Sequence, residues 1–243
     1  MASRSIIIIA DSHVTGGGNI EPDFREMMER IAQTDFDLLF LGDIMDLWIA
    51  KDGFEDDLQH WFVAWCLREK QKRSIVYVEG NHEFFVADRY DGVIGTVRKS
   101  RFQNDWLVAE HGHDIPIAKM GLNRLLIAFF KSRFASLALN VIPFGQKLVL
   151  FIKRCFGSNG RTLFSGLPDD IIRAWAEKRL SETACKEIFI GHFHCFREFD
   201  LPNDGKLRIL PAWKNSQEVL IFDKDGTGHL RNWRDIAYTV EKS

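Results

Sequence analysis

Apolar positions along the chain fall into short unbroken runs separated by longer amphipathic stretches. "SIIIIA" (5–10), "DLLFL" (37–41), "SIVYVE" (74–79), "WLVAE" (106–110) and "EIFIG" (187–191) are short and continuously apolar, the pattern of strands covered on both faces. Helical periodicity predicts a helix from Pro22 to about Gln33 and a longer one from Phe54 to Lys72, with Trp61, Phe62 and Trp65 turned inward. A further helix is predicted from Pro168 to about Glu182, where a proline at the first turn is followed by two Asp that suit the helix dipole. A Leu- and Phe-rich stretch from about 118 to 155 also reads as helical. From Phe196 onward, short strands alternate with turns at "PNDG" (202–205) and "KDGTG" (224–228). This order predicts a layered α/β fold, with two sheets face to face and helices outside.

Composition narrows the class without naming a function. The chain has 243 residues, 46% of them apolar and 12% aromatic, enough for one large domain spanning 1–243 with an insertion inside it. A net charge of −2 gives no whole-molecule attraction to nucleic acid, and no nucleic-acid partner is expected. Four cysteines without paired spacing fit a reducing compartment, and "MASRSIIIIA" carries too short an apolar run for a signal peptide. The expectation is a cytoplasmic protein.

Polar residues change the picture at the ends of the apolar runs. "ADSH" (10–13), "GD" (42–43), "GNHE" (80–83), "HGHD" (111–114) and "GHFH" (191–194) each begin where a strand ends. In open α/β sheets the carboxyl ends of strands build the ligand crevice. Asp11, His13, Asp43, Asn81, His82, His111, His192 and His194 can therefore converge. Carboxylate, imidazole and amide together suit a pair of first-row divalent ions, with Mn²⁺ favoured and Fe²⁺ or Zn²⁺ open. Asp43 could bridge two cations, whose charge would offset its burial. Asp46, Asp52, Glu55, Asp56 and Asp57 read more simply as solvated loop and helix-start residues, as do His60 and His229 on the surface. His113 competes with His111 as a ligand, with the substrate side its alternative place, and Cys195 reads as a core residue.

The five blocks in this order resemble the calcineurin-like metallophosphoesterases, across residues 10 to 194. The resemblance implies a two-sheet β-sandwich flanked by helices and a helical insertion. It implies that Asp11, His13, Asp43 and His194 hold one metal, and that Asp43, Asn81, His111 and His192 hold the other. It implies that His82 faces the substrate as the catalytic acid or charge stabiliser, with Glu83 or another carboxylate setting its tautomer. The activity implied is metal-dependent hydrolysis of a phosphoester or diphosphate.

"LGDIMDLWI" (41–49) and "ILPAWKNSQEVLIF" (209–222) are further similar to segments of the UDP-2,3-diacylglucosamine pyrophosphatases of lipid A synthesis. One departure is that the best-known branch of those enzymes has Arg at the position of His82, where His is the general superfamily residue. Independently, Ile115 to Pro168 contain no Asp or Glu but eight cations, Lys119, Arg124, Lys131, Arg133, Lys147, Lys153, Arg154 and Arg161, so the remainder carries −10. The same segment is rich in Leu and Phe. An ordinary helical cap would show acidic residues on its outer face; a basic apolar insertion over 115–165 suits a lipid diphosphate or an anionic bilayer surface, where the protein would sit peripherally. Lys131, Arg161, His113 and Trp213 are the candidate substrate contacts. Two rival readings are a phosphoesterase for a phosphoprotein, nucleotide or soluble diphosphate, and a non-catalytic binding module on the same scaffold.

Overall fold

The computed structural model describes residues 4–117, 127, 129–132, 135–137 and 167–236. Two sheets organise them. In the first, β1 (Ile6–Ile9), β2 (Asp37–Phe40), β4 (Ile75–Val78) and β6 (Thr96–Arg98) run parallel, and the antiparallel pair β12 (Glu218–Phe222) and β13 (Gly228–Asn232) extends it beyond β1. In the second, β8 (Leu107–Glu110), β9 (Glu187–Ile190) and β11 (Gly205–Ile209) are parallel, flanked by antiparallel β7 (Arg101–Gln103) and β10 (Arg197–Leu201).

Strand periodicity explains why the runs are continuously apolar. Ile8, Leu39, Val76 and Val78 of the first sheet meet Leu107, Ala109 and Phe189 of the second in one buried layer. The alternate residues Ile7, Ile9, Leu38, Phe40, Ile75 and Tyr77 face the other way, toward α1 (Glu21–Ile31) and α2 (Asp57–Glu69). On the second sheet Val108, Ile188, Ile190, Leu207 and Ile209 pack with Ile172 and Ala176 of a later helix, Asp169–Ser181. The central strands of both sheets are therefore covered on both faces and need apolar residues along their length, while the edge strands β7, β10 and β13 keep exposed polar positions. Burying one such side chain contributes about 1.5–3 kcal/mol.

Helix limits follow local chemistry. Asp56 caps α2 through a reciprocal pair with Gln59, whose backbone N–H donates to Asp56 Oδ1 at 3.1 Å while its own Oε1 accepts the Asp56 N–H at 2.8 Å. That moves the start of α2 from Phe54 to Asp57. Phe62 and Trp65 are buried as the pattern predicts; Trp61 is only partly buried, with the Arg25 guanidinium 4.3 Å above its ring. The short pieces β3 (Trp48–Ile49), β5 (Glu83–Phe84), α3 (Val86–Tyr90), β6 and β7 had no signal in the apolar pattern, being two to five residues long. The Asp169–Ser181 helix is α4, and a short helix, α5, covers Trp213–Ser216.

Two expectations fail here. Glu55 is not solvated: it is 5% exposed and accepts from Trp48 Nε1 at 2.8 Å and from the Tyr90 hydroxyl at 2.8 Å. Trp213 is not a substrate contact: its ring is fully buried and meets Phe24 edge-on at 5.6 Å, because α5 turns it into the core shared with α1 and α2. Of the insertion (115–165), residues 127, 129, 130 and 135–137 are helical, and most of the rest lies outside the described residues.

Candidate metal centre

β1, β2 and β4 are neighbours in the first sheet, and β8 and β9 are neighbours in the second. Their carboxyl ends bring the five polar loops together. The loops also bond to each other: the Asp11 N–H donates to the Gly42 carbonyl at 3.1 Å, the His13 N–H to the Asp43 carbonyl at 2.9 Å, and the Gly191 N–H to the His111 carbonyl at 3.1 Å. Glycine is required at the crossings. A Cβ on Gly80 would lie 2.1 Å from Asp43 Oδ1 and 2.5 Å from Asp43 N, and one on Gly191 would lie 2.6 Å from Asp11 Oδ2. Backbone geometry is unusual here. Nine non-glycine residues among those described have a positive φ, and five of them are Asp11, His13, Asp43, His192 and His194. Such conformations persist where surrounding structure enforces them, commonly at functional sites.

Both aspartates divide their oxygens between loop and centre. Asp11 Oδ2 accepts the His192 N–H at 2.8 Å, and Asp43 Oδ1 accepts the His82 N–H at 2.8 Å. The second oxygens face imidazoles. Asp11 Oδ1 is 3.2 Å from His194 Nε2 and 3.8 Å from His13 Nε2; Asp43 Oδ2 is 3.3 Å from His111 Nε2 and 3.8 Å from His13 Nε2. Asn81 Oδ1 lies 3.2 Å from His111 Nε2. Two groups could each hold an ion: Asp11 with His13 and His194, and Asp43 with His111 and His192. A third grouping joins His13, Asp46 and His82. Asp46, expected in solvent, is half-buried instead and belongs to this third grouping.

The donor set fits a divalent cation on several counts. Asp11 Oδ1 is buried and accepts no hydrogen bond among the described residues. His13 and His194 approach Nε2 to Nε2 at 3.3 Å, about the separation of two nitrogens bound at roughly 2.0–2.1 Å to one tetrahedral ion. The Nδ1 of His111 lies 2.6 Å from the Leu41 carbonyl, so its N–H points there and Nε2 is left for the centre. His82 is pinned the same way, with Nδ1 2.5 Å from the Asp46 carbonyl and Nε2 3.8 Å from Asp43 Oδ2. Glu83 does not touch His82; the backbone of Asp46 holds that ring instead.

Electrostatics agree. Burial holds His13 well below its usual range and takes His192 down to about 3, the proximity of His111 adding to the latter, so both are neutral donors. Burial also opposes a charge on His111, but the Asp43 carboxylate outweighs it and raises that imidazole to about 9. Asp43 in turn is held well below the usual carboxylate range: burial pushes it up, and the histidines around it, His111 first, push it further down. A pair of opposite charges thus occupies the place where cations would sit.

The remaining candidates fall outside this cluster. His113 is 5% exposed, its ring centroid 5.5 Å from that of His111 and 6.4 Å from that of His192, and it joins none of the three groups. Lys131 is anchored on the Asn81 loop, Nζ donating to the Gly80 carbonyl at 2.6 Å and lying 3.5 Å from Glu79 Oε2. Arg161 lies outside the described residues.

A family model described as calcineurin-like phosphoesterase matches residues 4–196. No curated protein matches significantly. Among solved structures, a Streptococcus pneumoniae TIGR4 protein described as a predicted phosphoesterase is 13% identical, with a TM-score of 0.38 over 95% of this chain and 99% of that one. Vacuolar protein sorting 29 from Cryptosporidium parvum is 13% identical, with a TM-score of 0.44 over 94% and 95%. The phosphopantetheinyl hydrolase of Mycobacterium tuberculosis is 12% identical, with a TM-score of 0.39 over 88% and 92%. The family match takes in all five loops that build the centre, and the chain belongs to the calcineurin-like phosphoesterases.

Proposed function

We propose that this phosphoesterase hydrolyses a diphosphate that links a nucleotide to a lipid, namely UDP-2,3-diacylglucosamine, to UMP and 2,3-diacylglucosamine 1-phosphate in lipid A synthesis. The observation that carries the lipid reading is the acid-free segment from Ile115 to Pro168, with eight cations among clustered Leu and Phe. Its described part packs on the strand that follows the Asn81 loop: the Phe130 ring lies 6.5 Å from Phe84, two residues beyond His82, and Phe129 is 55% exposed beside it. Cations suit the diphosphate, and exposed aromatics suit acyl chains.

Asp11, His13, Asp43 and His194 would hold one ion, and Asp43, Asn81, His111 and His192 the other, Asp43 serving both; Mn²⁺ is the favoured metal. Two such ions supply Lewis-acid activation of water and of the phosphoryl oxygens. The chain's own part is positioning and proton transfer. With Nδ1 held by the Asp46 carbonyl, His82 presents Nε2 to the centre, and its side chain is 30% exposed, open to a substrate. In its doubly protonated form the ring could give the Nε2 proton to the leaving oxygen while Nδ1–H stays on the Asp46 carbonyl. Water adds across the bridging P–O–P, and no covalent enzyme intermediate is needed.

No described helix is long and apolar enough to cross a membrane. The segment would hold the protein peripherally on an anionic inner leaflet. A second reading is a phosphoesterase for a phosphoprotein, nucleotide or soluble diphosphate, favoured by the general superfamily residue His82. Hydrolysis of UDP-2,3-diacylglucosamine and of bis-p-nitrophenyl phosphate, compared with Mn²⁺ present, tests the choice. A much higher kcat/KM for the nucleotide lipid is expected; turnover of the small diester alone would overturn the lipid reading.

A further inference from the structure

Glu83 is fully buried, and no Lys, Arg or His forms an ion pair with it among the described residues. Burying a carboxylate without a counter-charge is costly unless hydrogen bonds replace its water. Here they come from two ligand loops at once. Oε2 accepts the Asp43 N–H at 2.8 Å and the Gly80 N–H at 2.6 Å; Oε1 accepts the Ile44 N–H at 2.7 Å and the Tyr77 hydroxyl at 2.7 Å. In the opposite sense, Asp43 Oδ1 accepts the N–H of His82. Residues 43 and 82–83 are thus stapled reciprocally, and Gly80 leaves no gap between the loops.

We propose that Glu83 is a positioning residue of the metal centre: it fixes the loop after β2 against the loop after β4 and so aims Asp43 Oδ2 at the cations. This rests on reading the cluster as a metal centre. The chemistry requires a carboxylate in particular. Four of the five groups around it are backbone donors, the Asp43 and Gly80 N–H on Oε2 and the Ile44 and Met45 N–H, with the Tyr77 hydroxyl, on Oε1. An amide would set its NH₂ against backbone donors whichever way it turned. The consequence lies in the first ligand shell, because the Asp43 backbone is held by Glu83 and the Asp43 side chain is the shared ligand.

The test is calorimetric titration of Mn²⁺, and separately Zn²⁺, into chelator-stripped wild type and Glu83→Gln, with thermal unfolding of each with and without metal. Loss of a supporting partner of a ligand typically weakens metal binding by about 10–100-fold. That loss is expected for Glu83→Gln, together with a smaller metal-induced rise in Tm. Wild-type affinity in the variant, with Tm lowered equally in the presence and absence of metal, would make Glu83 a structural residue and overturn the proposal. Should the amide variant fail to fold, Glu83→Asp, one methylene too short to reach both loops, is titrated instead, with the same two outcomes. If wild type itself took up neither ion, the metal-centre reading would fall first, a result distinct from unaltered binding in the variant.

Discussion

Asp43 Oδ2 and His111 Nε2, contributed by different sheets, lie 3.3 Å apart, while the other oxygen of Asp43 is held by the His82 N–H. One carboxylate therefore links the first sheet's loops to the second's, and under the proposed function Asp43 would be a ligand common to both ions. Replacing Asp43 by Asn keeps the shape and the loop bond but removes the charge. Metal content by elemental analysis is expected to fall, and phosphoesterase activity to drop more than about 100-fold, beyond the loss typical of a supporting partner. Two metals retained with near-normal turnover would show that Asp43 is not the bridge.

His82 is tied to Asp46 by Nδ1 and contributes no atom to the two groups assigned to the ions. His82→Ala is expected to keep both metals while lowering kcat by about 10²–10⁴-fold, the usual contribution of general acid–base catalysis. The loss should shrink for nitrophenolate leaving groups, which need no proton. An undiminished loss with nitrophenolate would instead assign His82 to charge stabilisation.

The proton on His111 gives metal uptake a pH dependence. Its imidazole titrates at about 9 beside Asp43, above its ordinary value, so an ion binding at neutral pH must displace that proton. Apparent Mn²⁺ affinity at the site that includes His111 should rise about tenfold per pH unit from 7 and level off near 9, with one proton released as that site fills. The same shift bears on the metal-free fold: stability from protonated His111 is full below its unfolded pKa and is lost as pH rises through about 9. Titrations in buffers of different ionisation enthalpy read the proton directly, and a flat affinity between pH 7 and 9 would remove His111 from the ligand set.

The insertion separates lipid from soluble substrates. Phe130→Asp or Phe129→Asp should impair hydrolysis of the nucleotide lipid and spare a small diester, because the metal loops are built elsewhere. Binding to anionic vesicles should weaken with salt without vanishing, each lipid-facing cation contributing on the order of 1 kcal/mol. Lys147→Glu is the variant to measure, since Lys131 is already engaged by Gly80 and its loss would disturb the Asn81 loop. Equal losses on both substrates would make the segment a structural cap.

The strands and the five loops were legible because burial on both faces demands unbroken apolar runs, and because the polar residues follow each run directly. Ile8 and Leu39 announce the inter-sheet layer as clearly as Ile7 and Leu38 announce the helix side. What was hidden depends on contacts distant in sequence. Trp213 looked like a rim aromatic until α1 and α2 closed over it, and Glu55 looked solvated until Trp48 and Tyr90 supplied donors. The carboxylate expected behind His82 turned out to be the backbone of Asp46, and Glu83 serves the two loops instead. The two-residue strands β3 and β5 form because the Trp48 N–H reaches the His82 carbonyl, a pairing no local pattern encodes.

The left-handed backbone at Asp11, His13, Asp43, His192 and His194 sets folding against chelation. Each such residue costs on the order of 1–3 kcal/mol, while a domain's whole margin of stability is about 5–15 kcal/mol. Glycine at any of the five would relax the main chain and delete a donor in the same step. Selection for robustness alone would therefore erode the centre one loop at a time and leave a sturdier sandwich with nothing to hold an ion. The double-sided apolar core is what lets this chain tolerate five strained positions at once, so the size of the core is itself a condition of the chemistry.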